Sequence, residues 1–376
     1  MFGNNFTLFT FMGFRVRANV SWLFLAILVT WSLAAGFFPV VYPGLTQGIY
    51  WTMAVMGMIG LFFSLLFHEF SHSLVARQRG MKVAGITLFL FGGVAEIQAE
   101  PPDPKSEFWI AIVGPASSLV LAGVFYSVAS LMQAQGLPAH VVGVLTYLGF
   151  INILLAAFNM VPGYPLDGGR VLRAALWGWK GDIRWATRWA SVVGQTFGLV
   201  LVGLGILAVL SGNFIGGIWW FLIGLFLRGA ASASYQQLLA QQALQGEKVG
   251  RFMATEPVTV APDATIQEFV EGYLYKHDYD VFPITRGGAL AGCASLRQAK
   301  SVPRERWSDV RVGDICEACG EANTVDVEAD ASEALAKMQK SQNGRLMVTQ
   351  KSQLVGVLTL KDLLHYLQMR TELEGS

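Results

Sequence analysis

The segment His68-Glu69-Phe70-Ser71-His72 puts two imidazoles and a carboxyl within five positions. On a helix, residues i and i+4 share a face, so both histidines can reach one metal ion. Glu69 is offset from that face but near enough to act as general base on a water held there. Three fixed letters also recur by accident in soluble helices, so the setting decides their weight. Here they close the apolar run "MAVMGMIGLFFSLLF". An ionisable residue inside a membrane span costs about 2.5–3.5 kcal/mol on insertion scales, so three of them need a compensating partner, which a zinc ion provides. The bland alternative is a polar cluster at the cytoplasmic interface with no metal.

A catalytic zinc held by two histidines needs a third protein ligand and keeps one position for water. His140 falls at the opposite membrane face, and His277 and His365 lie in the polar C-terminal third, where surface or packing roles suit them. A carboxylate is needed, and Asp167 in "NMVPGYPLDGGRVLR" is the candidate. Pro162 and Pro165 exclude a regular helix there, and Gly168-Gly169 permit close backbone approach. His68 precedes the end of its span by seven residues, so it sits about 10 Å deep at 1.5 Å per residue. A broken backbone after the fourth span can fold back to that depth. The alternative for Asp167 is an ordinary N-cap ahead of "GGRVLRAAL".

These residues need a membrane scaffold, and composition supplies one. The 376-residue chain is 53% hydrophobic and only 14% charged, where soluble domains carry roughly 25% charged residues. A net charge of +1 gives no reason to expect nucleic acid or an acidic substrate. Runs near the roughly 20 residues a span requires occur at 20–37, 52–75, 107–132, 140–162, 190–211 and 214–232. Arg15 and Arg17 precede the first; Arg77, Arg79, Lys82 and Lys105 lie between the second and third; Arg170, Arg173, Lys180, Arg184 and Arg188 lie between the fourth and fifth. The other connections hold no Lys or Arg, so the positive-inside rule predicts six spans with both termini cytoplasmic. The first twenty residues do not read as a signal peptide, because their apolar residues are interrupted and no small-residue cleavage site follows. The segment "VAGITLFLFGGVAEIQ" (83–98) is β-branched and broken by Gly92-Gly93, which predicts two short strands around a turn. Non-helical backbone at membrane depth is tolerated beside a protein-lined cavity, so a re-entrant β-hairpin is expected, with a cytoplasmic hairpin as the alternative.

Past residue 235 a polar linker leads into two halves with the same order of strand, helix, two strands and helix. Such duplication implies a pseudo-symmetric pair. The three cysteines, Cys293, Cys316 and Cys319, argue against a disulfide framework and suit a reducing compartment. Cys316-Glu-Ala-Cys319 has the spacing of half a zinc site, yet with only Cys293 besides, it reads as an incidental pair.

Together, HEFSH in a span, "LFLFGGVAEI" and "NMVPGYPLDGG" resemble the site-2 protease family of intramembrane zinc proteases, and the trailing repeat resembles a pair of CBS domains. The resemblance implies one Zn2+ per chain on His68, His72 and Asp167, with Glu69 as catalytic acid/base. It implies that Asn159 orients substrate or the developing oxyanion, and that the hairpin with Gly92 and Gly93 offers an edge to an unwound substrate. Asn152 either joins in orienting substrate or makes a helix–helix hydrogen bond. CBS pairs bind adenine nucleotides through a hydroxyl residue followed three positions later by an Asp. The second half matches with Thr359 and Asp362, whereas the first has Ser295 and Gln298. One nucleotide site is therefore expected, or a dimerisation module without ligand.

The expectation is a multi-span α-helical membrane protein of six transmembrane helices with a re-entrant β-hairpin, followed by a soluble α/β CBS-domain pair. The boundaries are 1–235 for the transmembrane zinc protease domain, 236–249 for a linker and 250–371 for tandem CBS domains, 250–310 and 311–371. Its partners would be a membrane-anchored protein substrate, the lipid bilayer and a second copy in a homodimer through the CBS pair, with no nucleic acid. Its place would be the plasma membrane, multi-pass, with both termini and the CBS pair cytoplasmic. The alternative function is a CBS-regulated membrane transporter or channel, which would require polar residues along a continuous path through the spans.

Overall fold

A computed structural model describes residues 5–89, 92–97, 100–277, 279, 281–317, 319–320, 323–341, 343–351 and 353–374. Contacts divide the chain into two units, Met1–Tyr235 and Gln236–Ser376.

The first unit opens with a hairpin, β1 (Asn5–Phe11) and β2 (Phe14–Asn19). Met12 and Gly13 join them with φ of 48° and 86°, both positive as a type I′ turn requires. Asn19 then caps helix α1 (Val20–Ser32), its side chain accepting from the Ser21 backbone N–H at 3.0 Å. A π-helical turn carries α1 into α2 (Phe38–Val41). Helix α3 (Gln47–Gln78) bears the HEFSH motif and is followed by β3 (Val83–Phe89) and β4 (Gly92–Ile97). Helices α4 (Pro104–Ala134), α5 (Ala139–Asn159), α6 (Asp167–Lys180), α7 (Ile183–Leu210) and α8 (Phe214–Leu244) complete the unit and lead out of it.

Among the described residues six helices are long and apolar enough to cross a membrane: Val20–Val41, Gln47–Gln78, Pro104–Ala134, Ala139–Asn159, Ile183–Leu210 and Gly216–Leu244. The fifth starts seven residues before its apolar run because Asp182 caps it, accepting from the Arg184 and Trp185 backbone N–H groups. A cap outside the apolar stretch is invisible to hydropathy.

Three features depart from the sequence reading. The hairpin expected at 83–98 belongs to a four-stranded sheet in the order β1-β2-β3-β4, with β2 and β3 parallel. Phe89 pairs with Gly92 across β3 and β4, so Gly92-Gly93 open β4 rather than form the turn, and residues 90 and 91 lie outside the described ones. Among the described residues β4 pairs only with β3, leaving its other edge without a strand. The second departure concerns the alternative for Asp167: the N-cap of α6 is Leu166, and Asp167 is the first residue of a regular helix that runs to Lys180 and ends at the left-handed Gly181. Gly168 and Gly169 make it possible, because a Cβ would stand 2.4 Å from the Met160 carbonyl oxygen and 2.3 Å from the Gly163 carbonyl carbon respectively.

The second unit holds a five-stranded sheet in the order β5-β6-β9-β8-β7. In chain order its elements are α9 (Ile266–Phe269), β5 (Val281–Arg286), β6 (Ala289–Ser295), α10 (Leu296–Lys300), α11 (Val312–Ile315), β7 (Thr324–Asp326), α12 (Ala331–Ser341), β8 (Arg345–Gln350), β9 (Gln353–Thr359) and α13 (Leu360–Glu374). The duplication shows in the registers: Val281 faces Ser295 across β5 and β6, as Arg345 faces Thr359 across β8 and β9. Two separate apolar clusters serve the halves, one around Phe269, Phe282 and Ile284, the other around Leu335, Leu346 and Leu358. The third departure is here. Cys293 and Cys319 are joined in a disulfide, so Cys319 pairs across 26 residues of sequence rather than with Cys316. Sequence spacing could not show this, since the fold, not the local chain, brings the two together.

Candidate metal centre

His68 and His72 face one side of α3 and are 2% and 4% exposed. Asp167, on the first turn of α6, reaches them from 99 and 95 residues away in the chain: its Oδ2 lies 3.1 Å from His68 Nε2 and 3.2 Å from His72 Nε2. The two Nε2 atoms are 3.1 Å apart. Zinc–nitrogen and zinc–oxygen bonds of about 2.0–2.1 Å in a tetrahedron set ligand atoms about 3.3 Å apart, so this triangle fits one face of a zinc tetrahedron. It leaves the fourth vertex free, as a catalytic site requires. No other group of three histidine, cysteine or acidic side chains gathers in this way among the described residues.

Helix α4 sets up the two imidazoles. His72 Nδ1 lies 2.5 Å from the Ile110 carbonyl oxygen, which can only accept, so Nδ1 carries the proton and Nε2 presents its lone pair. His68 Nδ1 lies 2.9 Å from Ser118 Oγ, and in the same tautomer it donates to that hydroxyl. Between these two anchors stands Gly114. A Cβ there would be 2.1 Å from His72 Nε2 and 2.7 Å from His68 Nε2, so only glycine leaves room for the ligand set. Sequence reasoning missed Gly114, Ser118 and the Ile110 carbonyl. The one available signal was "VGPASS", a Gly-Pro inside an apolar span, where a helix-breaking pair needs a reason. Removing such an orienting partner of a ligand weakens metal binding about 10–100-fold. Ser118→Ala is therefore expected to raise the zinc dissociation constant by that factor in chelator competition, with activity recovering at excess zinc.

Glu69 is not in the triangle. Its side chain lies against the start of β4, where a Cβ on Gly93 would be 2.7 Å from Glu69 Cγ and 3.2 Å from Cδ. Glu69 thus packs on β4, an edge strand among the described residues. Asn159 ends α5 and donates to the Leu155 carbonyl at 3.1 Å. Asn152, expected either to orient substrate or to make a helix–helix hydrogen bond, is fully buried and makes the latter, donating to Ser64 Oγ and also to the Leu148 carbonyl, both at 2.8 Å. It braces α5 against α3 one turn before His68. A buried polar side chain on a lipid-facing helix needs a partner, and the nearest is the neighbouring helix, not the site.

Position of Asp167 depends on how α6 is held. Arg173, 4% exposed, donates from Nε to Glu107 Oε1 at 2.5 Å and pairs through Nη2 with Glu100 at 3.0 Å. Glu107 lies on α4 and is fully buried, so the pair fastens α6 to the helix that orients the histidines. Breaking a buried pair by removing one partner costs about 3–5 kcal/mol. Arg173→Met should lose that much stability in denaturant titrations of the detergent-solubilised protein.

Residues 56–142 and 130–204 match the sequence profile of peptidase family M50, and residues 249–301 and 312–369 match that of the CBS domain. Rip3 of Mycobacterium tuberculosis, named as a zinc metalloprotease, is 35% identical over 93% of this chain and 89% of its own. The chain belongs to the site-2 protease family. A second relative of this protease, sll0528 of Synechocystis, also named as a zinc metalloprotease, is 33% identical over 97% of this chain and 96% of its own. The solved site-2 protease of Methanocaldococcus jannaschii is 27% identical, covers 61% of this chain and 94% of its own, and superposes with a TM-score of 0.44. The site-2 protease described here is thus a zinc metallopeptidase with membrane-spanning helices and a CBS region. The transporter alternative leaves the triangle of His68, His72 and Asp167 unexplained.

Proposed function

We propose that this site-2 protease cleaves transmembrane segments of membrane-anchored proteins in regulated intramembrane proteolysis, with the CBS pair as its regulatory module. The observation that carries the reading is the convergence of His68, His72 and Asp167, with the neighbouring Glu69 side chain packed against Gly93 at the start of β4. A zinc ion held by His68, His72 and Asp167 would polarise a substrate carbonyl and make a water acidic enough to attack near neutral pH. Glu69 accepts the proton of the attacking water and returns it to the leaving amine. The Nδ1 hydrogen bonds hold both imidazoles with their Nε2 atoms aimed at Asp167. A helical substrate hides its carbonyls in i→i−4 bonds and must unwind first. Lipid offers the freed backbone no partners, whereas the β4 edge offers a row of them, in the manner of β-augmentation. Asn159 is assigned to orienting the substrate carbonyl, and the β3–β4 hairpin to a re-entrant position. The basic loops support a plasma-membrane protein with both termini and the CBS pair cytoplasmic.

The reading is tested by expressing wild type and Glu69→Gln in parallel and comparing membrane proteomes. Shortened single-span proteins are expected in the wild type alone; identical fragment sets would reject it.

A cleft of about 520 Å³ in the second unit is lined by Glu256, Val281, Arg345, Val357, Thr359, Lys361 and Asp362, among others. Thr359 and Asp362 close it at the start of α13, Thr359 Oγ1 donating to Asp362 Oδ2 at 2.5 Å. A hydroxyl beside a carboxylate for the ribose (Thr359 and Asp362) and two cations for its phosphates (Arg345 and Lys361) share the cleft, with Glu256 a second carboxylate in its lining. Hydrogen bonds to charged groups contribute about 1.5–3 kcal/mol, so Asp362→Asn should weaken ATP binding roughly ten- to hundredfold in calorimetric titrations of the full chain. Unchanged affinity would remove Asp362 from the ligand's contacts. Homodimerisation through the CBS pair is the remaining part of the proposal, and light scattering of the solubilised protein tests it.

A further inference from the structure

The duplication gives the cleft at Thr359 and Asp362 a counterpart at Ser295 and Gln298, and a disulfide sets the two apart. In the first, Ala254 and Val357 exchange backbone hydrogen bonds of 2.9 and 3.0 Å. In the second, Glu317 and Cys293 do the same at 3.0 and 3.3 Å. The helix starts correspond as well: Thr359 and Asp362 form reciprocal bonds at the head of α13, and Ser295 and Gln298 form them at the head of α10. Cys293 therefore stands where Val357 stands, and Cys319, two residues past Glu317, stands where Glu256 stands two residues past Ala254. Val357 and Glu256 both line the open cleft. Their counterparts are bonded to each other, with Cα atoms 5.5 Å apart.

We propose that Cys293 and Cys319 are a reversible redox modification site that fastens the counterpart cleft shut. Cys293 is 5% exposed, whereas Cys319 is half-buried, so an incoming thiolate meets the Cys319 sulfur first. The reductant is a dithiol. One of its thiolates attacks Cys319 Sγ and expels the Cys293 thiolate, which takes a proton; its second thiol then resolves the mixed disulfide, releasing Cys319 as a thiol and the reductant as its own disulfide. Two electrons and two protons pass to the protein. Glu317 and Cys319, no longer tied to Cys293 by the disulfide, can then leave β6 and uncover Ser295 and Gln298. Cys316, half-buried on the same segment and unbonded, stays a thiol throughout. In a cytoplasmic protein such bonds are transient and redox-sensing rather than structural. That step rests on the cytoplasmic placement of the CBS pair, which a reporter fused to the C-terminus checks independently.

The test uses the full chain in detergent, mildly oxidised or treated with dithiothreitol. Maleimide labelling and intact mass should show one reactive cysteine in the oxidised protein, lost in Cys316→Ser, and three after reduction, restored to one on reoxidation. Hydrogen exchange at 292–295 and 316–320 should quicken at least about tenfold on reduction, while 254–257 and 356–359 keep their rates. Cys293→Ser should show the fast exchange without reductant. Three reactive cysteines in the oxidised protein would overturn the proposal. So would faster exchange throughout the unit, including Leu346–Val348, because the bond would then hold the whole fold and not one cleft.

Discussion

Glu69→Gln is expected to lower the cleavage rate of a reconstituted single-span substrate by about 10²–10⁴-fold, the usual size of a general acid–base contribution. Zinc content by elemental analysis should stay at the wild-type level. Both expectations follow from position. The three converging donor atoms belong to His68, His72 and Asp167, and Glu69 contributes none of them. Glutamine keeps the length and volume that pack against Gly93 but cannot accept a proton at neutral pH. A variant that lost its zinc as well would make Glu69 a ligand, and one that kept the wild-type rate would remove it from the proton transfer.

Gly114→Ala is expected to abolish stoichiometric zinc. The added methyl would fall 2.1 Å from His72 Nε2 and 2.7 Å from His68 Nε2, in the space the donor atoms share. The atoms it meets are ring nitrogens already anchored through their Nδ1 atoms, so neither ring turns aside without giving up a buried hydrogen bond. Alanine is about 1 kcal/mol better than glycine in a helix interior, so α4 itself should not suffer. The experiment is elemental analysis beside circular dichroism: low zinc with unchanged helicity is expected. Full zinc in a well-folded variant would show that α4 retreats from the site with ease, contrary to its fastening by Arg173 and Glu107.

The triangle of His68, His72 and Asp167 was legible because its logic is local or nearly so. Two histidines four apart on a helix declare a shared face, and a span that contains them demands a third ligand at the same depth. The spans were legible because hydropathy is summed over many residues. What escaped were contributions that carry no chemical label. Gly114 matters for what it lacks, Ile110 for a main-chain oxygen, and Ser118 is one serine among several in apolar helices. The β1–β2 hairpin escaped differently: "FRVRAN" alternates with a period of two, but "NFTLFTF" breaks the alternation at Leu8-Phe9, where the register of the hairpin shifts. Its turn also uses Met12 at positive φ, a residue that announces no turn. Cys293 and Cys319 meet only because the two halves fold alike, which no spacing of cysteines reveals.

Helix α4 provides no ligand, yet it decides which ion the ligands can hold. With Gly114 as a fixed wall behind donor atoms 3.1–3.2 Å apart, the cage suits bonds near 2.0 Å and resists expansion. Calcium, which wants six to eight oxygens at about 2.3–2.6 Å, finds one carboxylate, two nitrogens and no room to spread them. Magnesium, content only with an octahedron of oxygens, fares no better. Selection by ionic size is thus written into a stretch of backbone that would pass, by composition, for an ordinary lipid-embedded helix.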